Sequence, residues 1–278
     1  NNILCFKEFN IYNMKIIYFY YIMNAEIKKF FETYFDEYTI KNPLMATFIG
    51  INKFNHLYPN YLHDSEIEKS KIFDLKYLNE TKNLKKKFHK NISKQDLHFL
   101  NVLQSRLEDN IESYKYPFHL LPMDQFDNFI IDYIDLASGK SYLPLKTKKD
   151  YKNLILKTQD FLILCDTAIC RMREGMDKKI TWSKEIMLRC VDQLKGVLKT
   201  KDYLVNTEKI PQELKKEYFD VMDKKFSNMI KNFIKFLEKE YIPNCHNKLG
   251  YKGIDGGDDM YKYLVKSYTT LDKLTIPE

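Results

Sequence analysis

The stretch "TKKDYKNLILKTQDFLILCDTAICRMRE", residues 147–174, predicts the fold class of this chain. Its larger side chains recur every three or four residues, the spacing that places them on one face of an α-helix. Thr147 and Asp150 have the spacing of a capping box, with Asp in the position usually held by Glu. We predict a long helix that ends at Glu174, with Gly175 as a left-handed C-terminal cap. The predicted helix face consists of Tyr151, Ile155, Thr158, Leu162, Cys165, Ile169 and Met172.

The same helical period recurs along most of the chain. Residue types that commonly cap a helix, or that suit its first turn, precede each periodic run. The last of these runs, from Pro211 to Pro243, predicts a helix of about 30 residues, or roughly 45 Å. Further helices are predicted. One runs from Asn24 to about Tyr38, another runs from Asp64 or Ser65 to about Lys90, and a third begins at Ser93.

Glycine and proline are scarce, with eight of each in 278 residues. All-β sandwiches and barrels need many turns, so this scarcity disfavours them. Several of these residues lie in one connection, residues 116–146, which we interpret as a loop-rich insertion with one short helix over residues 125–136. We therefore predict an all-α fold, an antiparallel multi-helix array with this one insertion. A minor short strand near the C-terminus, around residues 268–271, is compatible with the pattern.

The composition favours a folded protein with a sizeable core. Apolar residues make up 44% of the chain and charged residues 30%, which excludes disorder by composition. The net charge of +7 is a mild excess that is spread along the sequence. Its densest run, Lys85, Lys86 and Lys87, is more typical of a solvated helix face than of a nucleic-acid patch. We expect no nucleic-acid partner.

Residues 1–22 precede the first predicted helix, and we interpret them as a non-core arm or as upstream translated sequence. An apolar run from Met14 to Met23 matches a signal peptide only weakly, because it has one lysine and no small-residue cleavage site. The run is too short to span a bilayer, so we expect no membrane association. The folded part is expected to comprise residues 23–278.

The five cysteines do not form a recognisable framework. None belongs to a C-x-x-C pair, and their number is odd. Cys165, Cys170 and Cys190 lie in apolar helical patterns, so we expect them to be small buried side chains of a protein in a reducing compartment. A cytoplasmic location follows from that expectation.

The residues alone predict no catalytic residue and no metal ligand. The six histidines include no H-E-x-x-H pair, the spacing that places two ligands on one helix face. Cys245 and His246 are adjacent and do not both face one metal easily from a regular helix. His63 and Asp64 suggest a base with its orienting carboxylate, although Asp64 also fits a helix cap. The acidic residues within residues 255–259 lack the spacing of a calcium loop.

Four stretches, in order, resemble one known family. Its most specific pieces here are Arg173-Glu174-Gly175, Glu240-Tyr241-x-Pro243, and Gly256-Gly257 followed by Tyr261 and Tyr268-Thr269-Thr270. The four stretches are "FFETYFDEYTIKNPLMATFIGINKFNHLYPNYLHD" (30–64), "LPLKTKKDYKNLILKT" (143–158), "CRMREGMDKKITWSKEIMLRCVDQL" (170–194) and "FLEKEYIPNCHNKLGYKGIDGGDDMYKYLVKSYTTLDKLTIPE" (236–278). Their order and spacing resemble the amino-terminal half of the proteins called domain of unknown function 885.

This resemblance implies a largely helical protein that looks like a zinc metallopeptidase. In that family the zinc motif, an H-E-x-x-H-like or H-E-x-x-x-H-like sequence, lies further along the chain than the Tyr-Thr-Thr stretch. The present sequence ends at Pro277-Glu278, so no zinc ligand and no general-base Glu is transferred to it. We therefore expect an amino-terminal portion that walls the substrate channel and is inactive alone, without a cofactor of its own.

The expected partner is a missing carboxyl-terminal catalytic half, which would hold the zinc, and the expected substrate is a peptide. An exposed apolar surface is then expected where that half would dock. A stand-alone helical module for protein interaction, with no catalysis, is the alternative interpretation.

Residues 256–270 are the best candidates for contact with a peptide substrate. Glycine allows another segment to approach closely, and tyrosine and threonine hydroxyls can donate hydrogen bonds. Packing at the junction with the missing half is the alternative role for each candidate. The predicted substrate-proximal residues are Gly256, Gly257, Tyr261, Tyr268 and Thr269.

Overall fold

A computed structural model describes residues 23–204 and 207–271, and over these residues the protein is all-α, as the periodicity predicts. The described ranges contain no β-strand, and the one isolated bridge in them joins Ser183 and His246. The predicted arm at residues 1–22 lies outside the described residues, as do Pro277 and Glu278.

The α-helices are connected by short loops and by brief 3₁₀ and π segments. Asn24 caps the first helix, because its side-chain oxygen accepts hydrogen bonds from the backbone N–H groups of Glu26 and Ile27. The helices are α1 (Ala25–Lys41), α2 (Pro43–Phe48), α3 (Asp64–Phe88), α4 (Lys94–Ser113), α5 (Phe129–Ala137), α6 (Lys148–Asp177), α7 (Lys184–Thr200), α8 (Lys215–Phe219), α9 (Ser227–Phe236) and α10 (Gly257–Thr269).

The capping box predicted for the long helix α6 is present. The hydroxyl of Thr147 accepts a hydrogen bond from the backbone N–H of Asp150 at 3.2 Å, and the Asp150 carboxylate accepts one from the Thr147 N–H at 2.8 Å. The predicted face of α6 is buried or half-buried along its length, so the prediction of this helix is confirmed.

The predicted C-terminal cap of α6 is wrong by four residues. Gly175 lies inside the helix, and Lys179 adopts the left-handed conformation, with φ of 58°. The N–H of Ile180 bonds to the Gly175 carbonyl at 2.7 Å and the N–H of Lys179 bonds to the Met176 carbonyl at 3.1 Å, which is a Schellman motif. Gly175 is required for space, because a Cβ there would lie 2.5 Å from the Ile180 carbonyl oxygen.

The helix predicted after Pro211 is present as one helical run but has a different hydrogen-bond pattern. Two π segments, Asp220–Phe226 and Leu237–Tyr241, flank α9, and 3₁₀ turns lie at both ends, at Gln212–Leu214 and Ile242–Asn244. Sequence periodicity detects a helical face, but it does not encode where the backbone changes to an i→i+5 pattern.

Two further features, the start of one helix and a short strand, differ from the prediction. The short helix in the loop-rich insertion, α5, starts at Phe129 rather than at residue 125, because the side chain of Asn128 caps it by accepting from the Ile130 N–H. The short strand near Tyr268 is absent, since α10 continues through Thr269 and ends where Thr270 takes a left-handed φ of 58°. The buried positions Met260 and Tyr263 give this segment a helical period.

The described residues divide into two compact units, each with its own core. The first contains residues 23–41 and Ser70–Glu112, that is, α1, α4 and most of α3. Aromatic rings pack closely in it, with the Tyr34 and Tyr77 ring centroids 4.8 Å apart. Its buried core consists of Ile27, Phe30, Tyr77, Leu78, Leu84, Leu100, Leu103 and Leu107.

The second unit contains Asn42–Lys69 and the described residues from Ser113 onward. At its centre the rings of Tyr133 and Phe161 stack with centroids 3.9 Å apart. The Tyr133 hydroxyl also makes a buried hydrogen bond of 2.6 Å with the Thr158 hydroxyl, so both polar groups are satisfied within the core. This core joins α5, α6 and the helical run from α8 to Tyr241.

Candidate functional site

Helix α10 contains most of the predicted substrate-proximal residues and is anchored by one face. Met260 and Tyr263 are buried on that face. The Tyr263 ring stacks on Tyr116 with centroids 5.0 Å apart and contacts Phe118 at 5.8 Å. These aromatic contacts hold α10 against the connection that follows α4, which leaves its opposite face exposed.

Gly256 and Gly257 have backbone roles at the start of α10. Gly256 has a φ of 72°, in the left-handed region that favours glycine, and it directly precedes the helix. A Cβ at Gly257 would collide with the backbone carbonyl oxygen of Tyr251. The two glycines thus shape the turn and allow the loop before α10 to pack against it.

Tyr261 and Tyr268 lie on the exposed side of α10, whereas Thr269 is bonded within the helix. The tyrosines are seven residues apart, close to two turns, and their exposed fractions are 47% and 82%. The Thr269 hydroxyl donates to the Val265 carbonyl at 2.6 Å. Of the five predicted residues, these two tyrosines present exposed aromatic side chains, whereas the exposed Thr269 has its hydroxyl proton bonded to the helix backbone.

The sequence did not single out Tyr251, which lies beside them. Its ring centroid is 6.3 Å from that of Tyr261 and 5.3 Å from that of Trp182. Burial raises the pKa of Tyr251 to about 12, and Asp124 and Tyr268 contribute to the rise. We call Tyr251, Tyr261 and Tyr268 the α10 tyrosine face.

Two of the pieces that carried the family resemblance are joined directly. Arg173 donates two hydrogen bonds to the carboxylate of Glu240, at 2.9 and 3.0 Å, and its guanidinium lies 5.2 Å from the ring centroid of Phe236. The next residue, Tyr241, accepts a hydrogen bond from the backbone N–H of Trp182 at 3.2 Å. Both pieces therefore connect α6 and the loop before α7 to the π segment at Leu237–Tyr241.

A second polar cluster surrounds Arg171. Its guanidinium donates to the Leu62 carbonyl at 2.9 Å, to Glu174 at 2.8 Å and to Asp64. His63 does not use Asp64 as an orienting group, because its Nδ1 contacts the Ser65 hydroxyl at 2.9 Å. The cluster fixes the start of α3 against α6, and it does not form the base-and-carboxylate pair considered from the sequence.

The described cysteines and histidines do not assemble a metal site. His246 packs its ring over Gly253, and Cys245 donates to the Tyr241 carbonyl at 3.3 Å. Throughout residues 23–204 and 207–271, no three His, Cys, Asp or Glu side chains lie together as a metal ion would require. The part of the chain that the structure describes therefore does not fit a zinc site.

Cys165 and Cys190 are buried as predicted, but Cys170 is exposed. It follows Ile169, a half-buried residue of the predicted face of α6, and one residue of helix rotates a side chain by about 100°. The apolar pattern around Cys170 therefore indicated burial for a position that points outward.

The sequence also gave no indication that one lysine is buried. Lys157 lies in the middle of α6 with no exposed surface, and its Nζ donates to the Leu57 carbonyl at 2.5 Å. Burial lowers its pKa to about 8. Because the neighbouring Tyr58 N–H also donates to Asp160 at 3.1 Å, this part of the loop before α3 is bonded to α6 at two adjacent points.

The first unit has a groove of about 360 Å³ between α1 and α3. An ion pair of 2.6 Å between Glu26 and Lys87 lies at its wall. Lys85 donates to Gln104, so two lysines of the basic run have partners within this unit. The groove is lined by Glu26, Lys29, Phe30, Thr33, Glu80, Asn83, Leu84 and Lys87, which include no histidine or cysteine.

Comparison with known proteins identifies one family. The sequence model of the family described as "Bacterial protein of unknown function (DUF885)" matches residues 43–275, from the start of α2 to beyond the end of α10. No curated protein matches the chain. Within the described ranges, none of the helices has both the length and the apolar character needed to cross a bilayer.

Proposed function

This chain belongs to the DUF885 family, and we propose from that premise that it is the helical amino-terminal portion of a zinc-dependent peptidase. In this role it forms a wall of the substrate channel, binds and orients peptide, and does not hydrolyse peptide alone. Family membership and the resemblance to metallopeptidases support the reaction class.

The α10 tyrosine face is the observation that supports peptide binding. Tyr268 is the most exposed aromatic side chain of α10, and it lies two turns from Tyr261 on a helix whose other face is packed. Phenol rings offer apolar area and a hydroxyl at low entropic cost, which suits contact with the backbone and side chains of an extended peptide. A rigid helix presents both rings without a prior ordering step.

Zinc would supply a bound water of lowered pKa and would polarise the scissile carbonyl. The described residues provide no set of ligands for it, so no hydrolytic step is assigned to them. In this proposal the role of the chain is limited to binding a peptide and holding it in place.

Peptide binding can be tested on the 278-residue chain by fluorescence anisotropy with pools of short fluorescein-labelled peptides. We expect Tyr261→Ala and Tyr268→Ala each to weaken binding about fivefold, since an aromatic contact contributes about 1 kcal/mol. Leu188→Ala is the control, because Leu188 is an exposed apolar residue on α7. Equal affinities for the three variants would contradict a role of the α10 tyrosine face.

Hydrolysis requires a second experiment. We expect no zinc-dependent cleavage of the same peptides by this chain, and cleavage sensitive to a zinc chelator by the complete product of its gene. The nucleotide sequence after the codon for Glu278 decides whether that product contains an H-E-x-x-type helix. A stop codon there would contradict the peptidase role and favour the helical interaction module.

A further inference from the structure

The outer face of α6 carries a row of five exposed side chains that recur every seven residues. Seven residues are close to two helical turns, so the five lie one above another along about 42 Å of the helix. Leu156 and Ile163 have exposed fractions of 39% and 58%, and Cys170 is exposed as well. Lys149 and Asp177 are exposed at the two ends of the row. We call these five residues the α6 stripe.

The loop before α3 lies along one edge of the α6 stripe and leaves the stripe itself exposed. The backbone N–H of Tyr58 donates to Asp160 at 3.1 Å. The side chain of Asn60 donates to the Thr167 hydroxyl at 2.8 Å. Asp160 and Thr167 lie three positions before and four positions after Ile163, so both bonds border the centre of the stripe. Because this border is already bonded, a partner meets a surface that needs little further ordering.

The α6 stripe is complementary to its own reverse. Ile163 lies at its centre, the apolar Leu156 and Cys170 lie seven residues to either side, and charges of opposite sign lie at the ends. When a second α6 runs antiparallel with Ile163 facing Ile163, each Leu156 therefore lies opposite a Cys170. In the same register each Lys149 lies opposite an Asp177. A parallel register would instead place like charges opposite one another at both ends.

The two end charges lack partners and oppose the dipole of their own helix. Among the described residues, neither Lys149 nor Asp177 forms an ion pair. Lys149 lies in the first turn of α6, near the positive end of the helix dipole, and Asp177 is its last residue, near the negative end. An antiparallel neighbour brings the opposite end of its own dipole to each charge. Both the charges and the dipoles therefore favour the antiparallel arrangement.

From these observations we propose that the α6 stripe pairs two copies of this chain, with the two α6 helices antiparallel about a twofold axis at Ile163. The seven-residue repeat of the seam is that of paired helices that coil around each other. A single pair of helices buries little area compared with a standard protein interface, so we expect a reversible dimer with a dissociation constant in the micromolar range or weaker. This inference does not rest on the proposed peptidase role, since the α6 stripe shares no residue with the α10 tyrosine face.

Charge and width argue against the other common occupants. Asp160 and the exposed Asp166 flank the α6 stripe, and carboxylates repel the phosphates of nucleic acid and of anionic lipid. The apolar seam is only one side chain wide, which suits the ridge of another helix better than a membrane surface.

Sedimentation equilibrium of the 278-residue chain over a range of concentrations tests for the dimer. We expect the apparent mass to rise with concentration from that of one chain toward that of two. Ile163→Lys places two like charges face to face at the twofold axis and should weaken the dimer at least about tenfold. Val102→Lys makes the same kind of change at an exposed apolar residue of α4 and should leave the dimer unchanged.

Exchange of the end charges tests the antiparallel register. Lys149→Glu and Asp177→Lys each place like charges opposite one another at both ends, so each variant alone should dimerise at least about fivefold more weakly. An equimolar mixture of these two variants restores opposite charges at both ends of the mixed pair, and so does the double variant in its own pair. Both should regain the affinity of the parent. Asp192→Lys reverses an exposed carboxylate of α7 and should have no effect.

Disulfide cross-linking locates the contact. Leu156→Cys places a thiol opposite Cys170 of the second copy, so oxidised glutathione should link the two chains. The double variant Leu156→Cys/Cys170→Ser should not be linked. In the parent the two Cys170 residues of an antiparallel pair are 14 residues apart along the helices, or about 21 Å, which is too far for a disulfide. The parent should therefore remain unlinked.

Three results would overturn the proposal. The mass of a single chain at every concentration would show that the α6 stripe does not pair two copies. Linkage of the parent through Cys170 would show a parallel pair, and a mixture of the charge variants that stays monomeric would place the contact elsewhere. Circular dichroism of each variant must match that of the parent, and the substituted residues are exposed enough for the fold to be retained.

Discussion

Arg173 and Glu240, 67 positions apart in sequence, are joined by two parallel hydrogen bonds of 2.9 and 3.0 Å. Each belongs to a sequence piece that resembles the DUF885 family, and the bonds link α6 to the π segment at Leu237–Tyr241. The guanidinium also lies over the ring of Phe236. This pair is a planar, two-point contact that lysine could not reproduce in place of arginine.

The pair predicts a pKa change at Glu240. Its hydrogen bonds with Arg173 lower the Glu240 pKa, so Arg173→Gln should raise it toward the ordinary value. NMR titration of the glutamate side chains measures this directly. Arg189→Gln is the control, because it removes an exposed ion pair with Glu185 and should leave Glu240 unaffected.

The sign of the stability change follows from the same shift. A carboxylate whose pKa is lower in the folded state stabilises the fold above its unfolded pKa, and this contribution is lost as the pH falls through the folded pKa. The free energies of unfolding of Arg173→Gln and of the parent should therefore converge as the pH falls into the acid range. A difference between them that is constant with pH would show that Arg173 acts only through packing on Phe236.

Lys157 predicts a pH dependence of the same sign, but in the alkaline range. Burial lowers its pKa from 10.5 in water to about 8, so the unfolded chain binds more protons than the folded protein between these values. The free energy of unfolding should consequently rise between about pH 7 and about pH 10, by up to about 2 kcal/mol. Urea titrations measure this, and subtracting the profile of Lys157→Met removes the contributions of other groups.

Lys152→Met is the matched control for this prediction, since Lys152 is an exposed lysine on the same helix α6. Its stability profile should follow that of the parent at every pH. A flat difference between the parent and Lys157→Met would mean that the ammonium of Lys157 is hydrated in solution, and that the loop before α3 is not locked as described.

Most of the fold could be predicted from the sequence because apolar periodicity directly encodes which helix face is buried. The seven predicted face positions of α6 are an example. What periodicity cannot encode is the contact of one element with another. Gly175 looked like a helix cap, yet its role depends on the carbonyl of Ile180, and the π segments around α9 depend on backbone bonding that leaves the apolar spacing nearly unchanged.

The candidate site was only partly predictable for the same reason. Tyr261 and Tyr268 could be named as hydroxyl donors in the segment that resembles the family, but the sequence was also compatible with a short strand at Tyr268, and one helix that carries both tyrosines was not predicted. Tyr251 joins them only through the fold of the preceding loop. No spacing rule in one sequence reports such tertiary proximity.

The cysteines provide a test of exposure. Cys170 is exposed, whereas burial shields Cys165 and raises its pKa well above the ordinary value. When a thiol reagent is applied to the native protein, the number of fast-reacting thiols should therefore be lower by one in Cys170→Ser than in the parent, and unchanged in Cys165→Ser. Full reaction on unfolding in urea gives the total. Equal loss in both variants would show that α6 opens on the timescale of labelling.

The start of α10 predicts opposite effects for two glycines. In Gly257→Ala the new Cβ would collide with the Tyr251 carbonyl oxygen, so the backbone must shift, and we expect a loss of about 1–3 kcal/mol in the free energy of unfolding. Gly196 lies inside α7, and apart from its chain neighbours and the backbone of its own helix, no atom lies within 4 Å of the place that a Cβ would take there. Gly196→Ala should therefore stabilise the protein by about 0.5–1 kcal/mol, through helix propensity. Urea denaturation of the two variants measures both. A stabilised Gly257→Ala would show that Tyr251 does not pack against α10, and the tyrosine face would lose its third member.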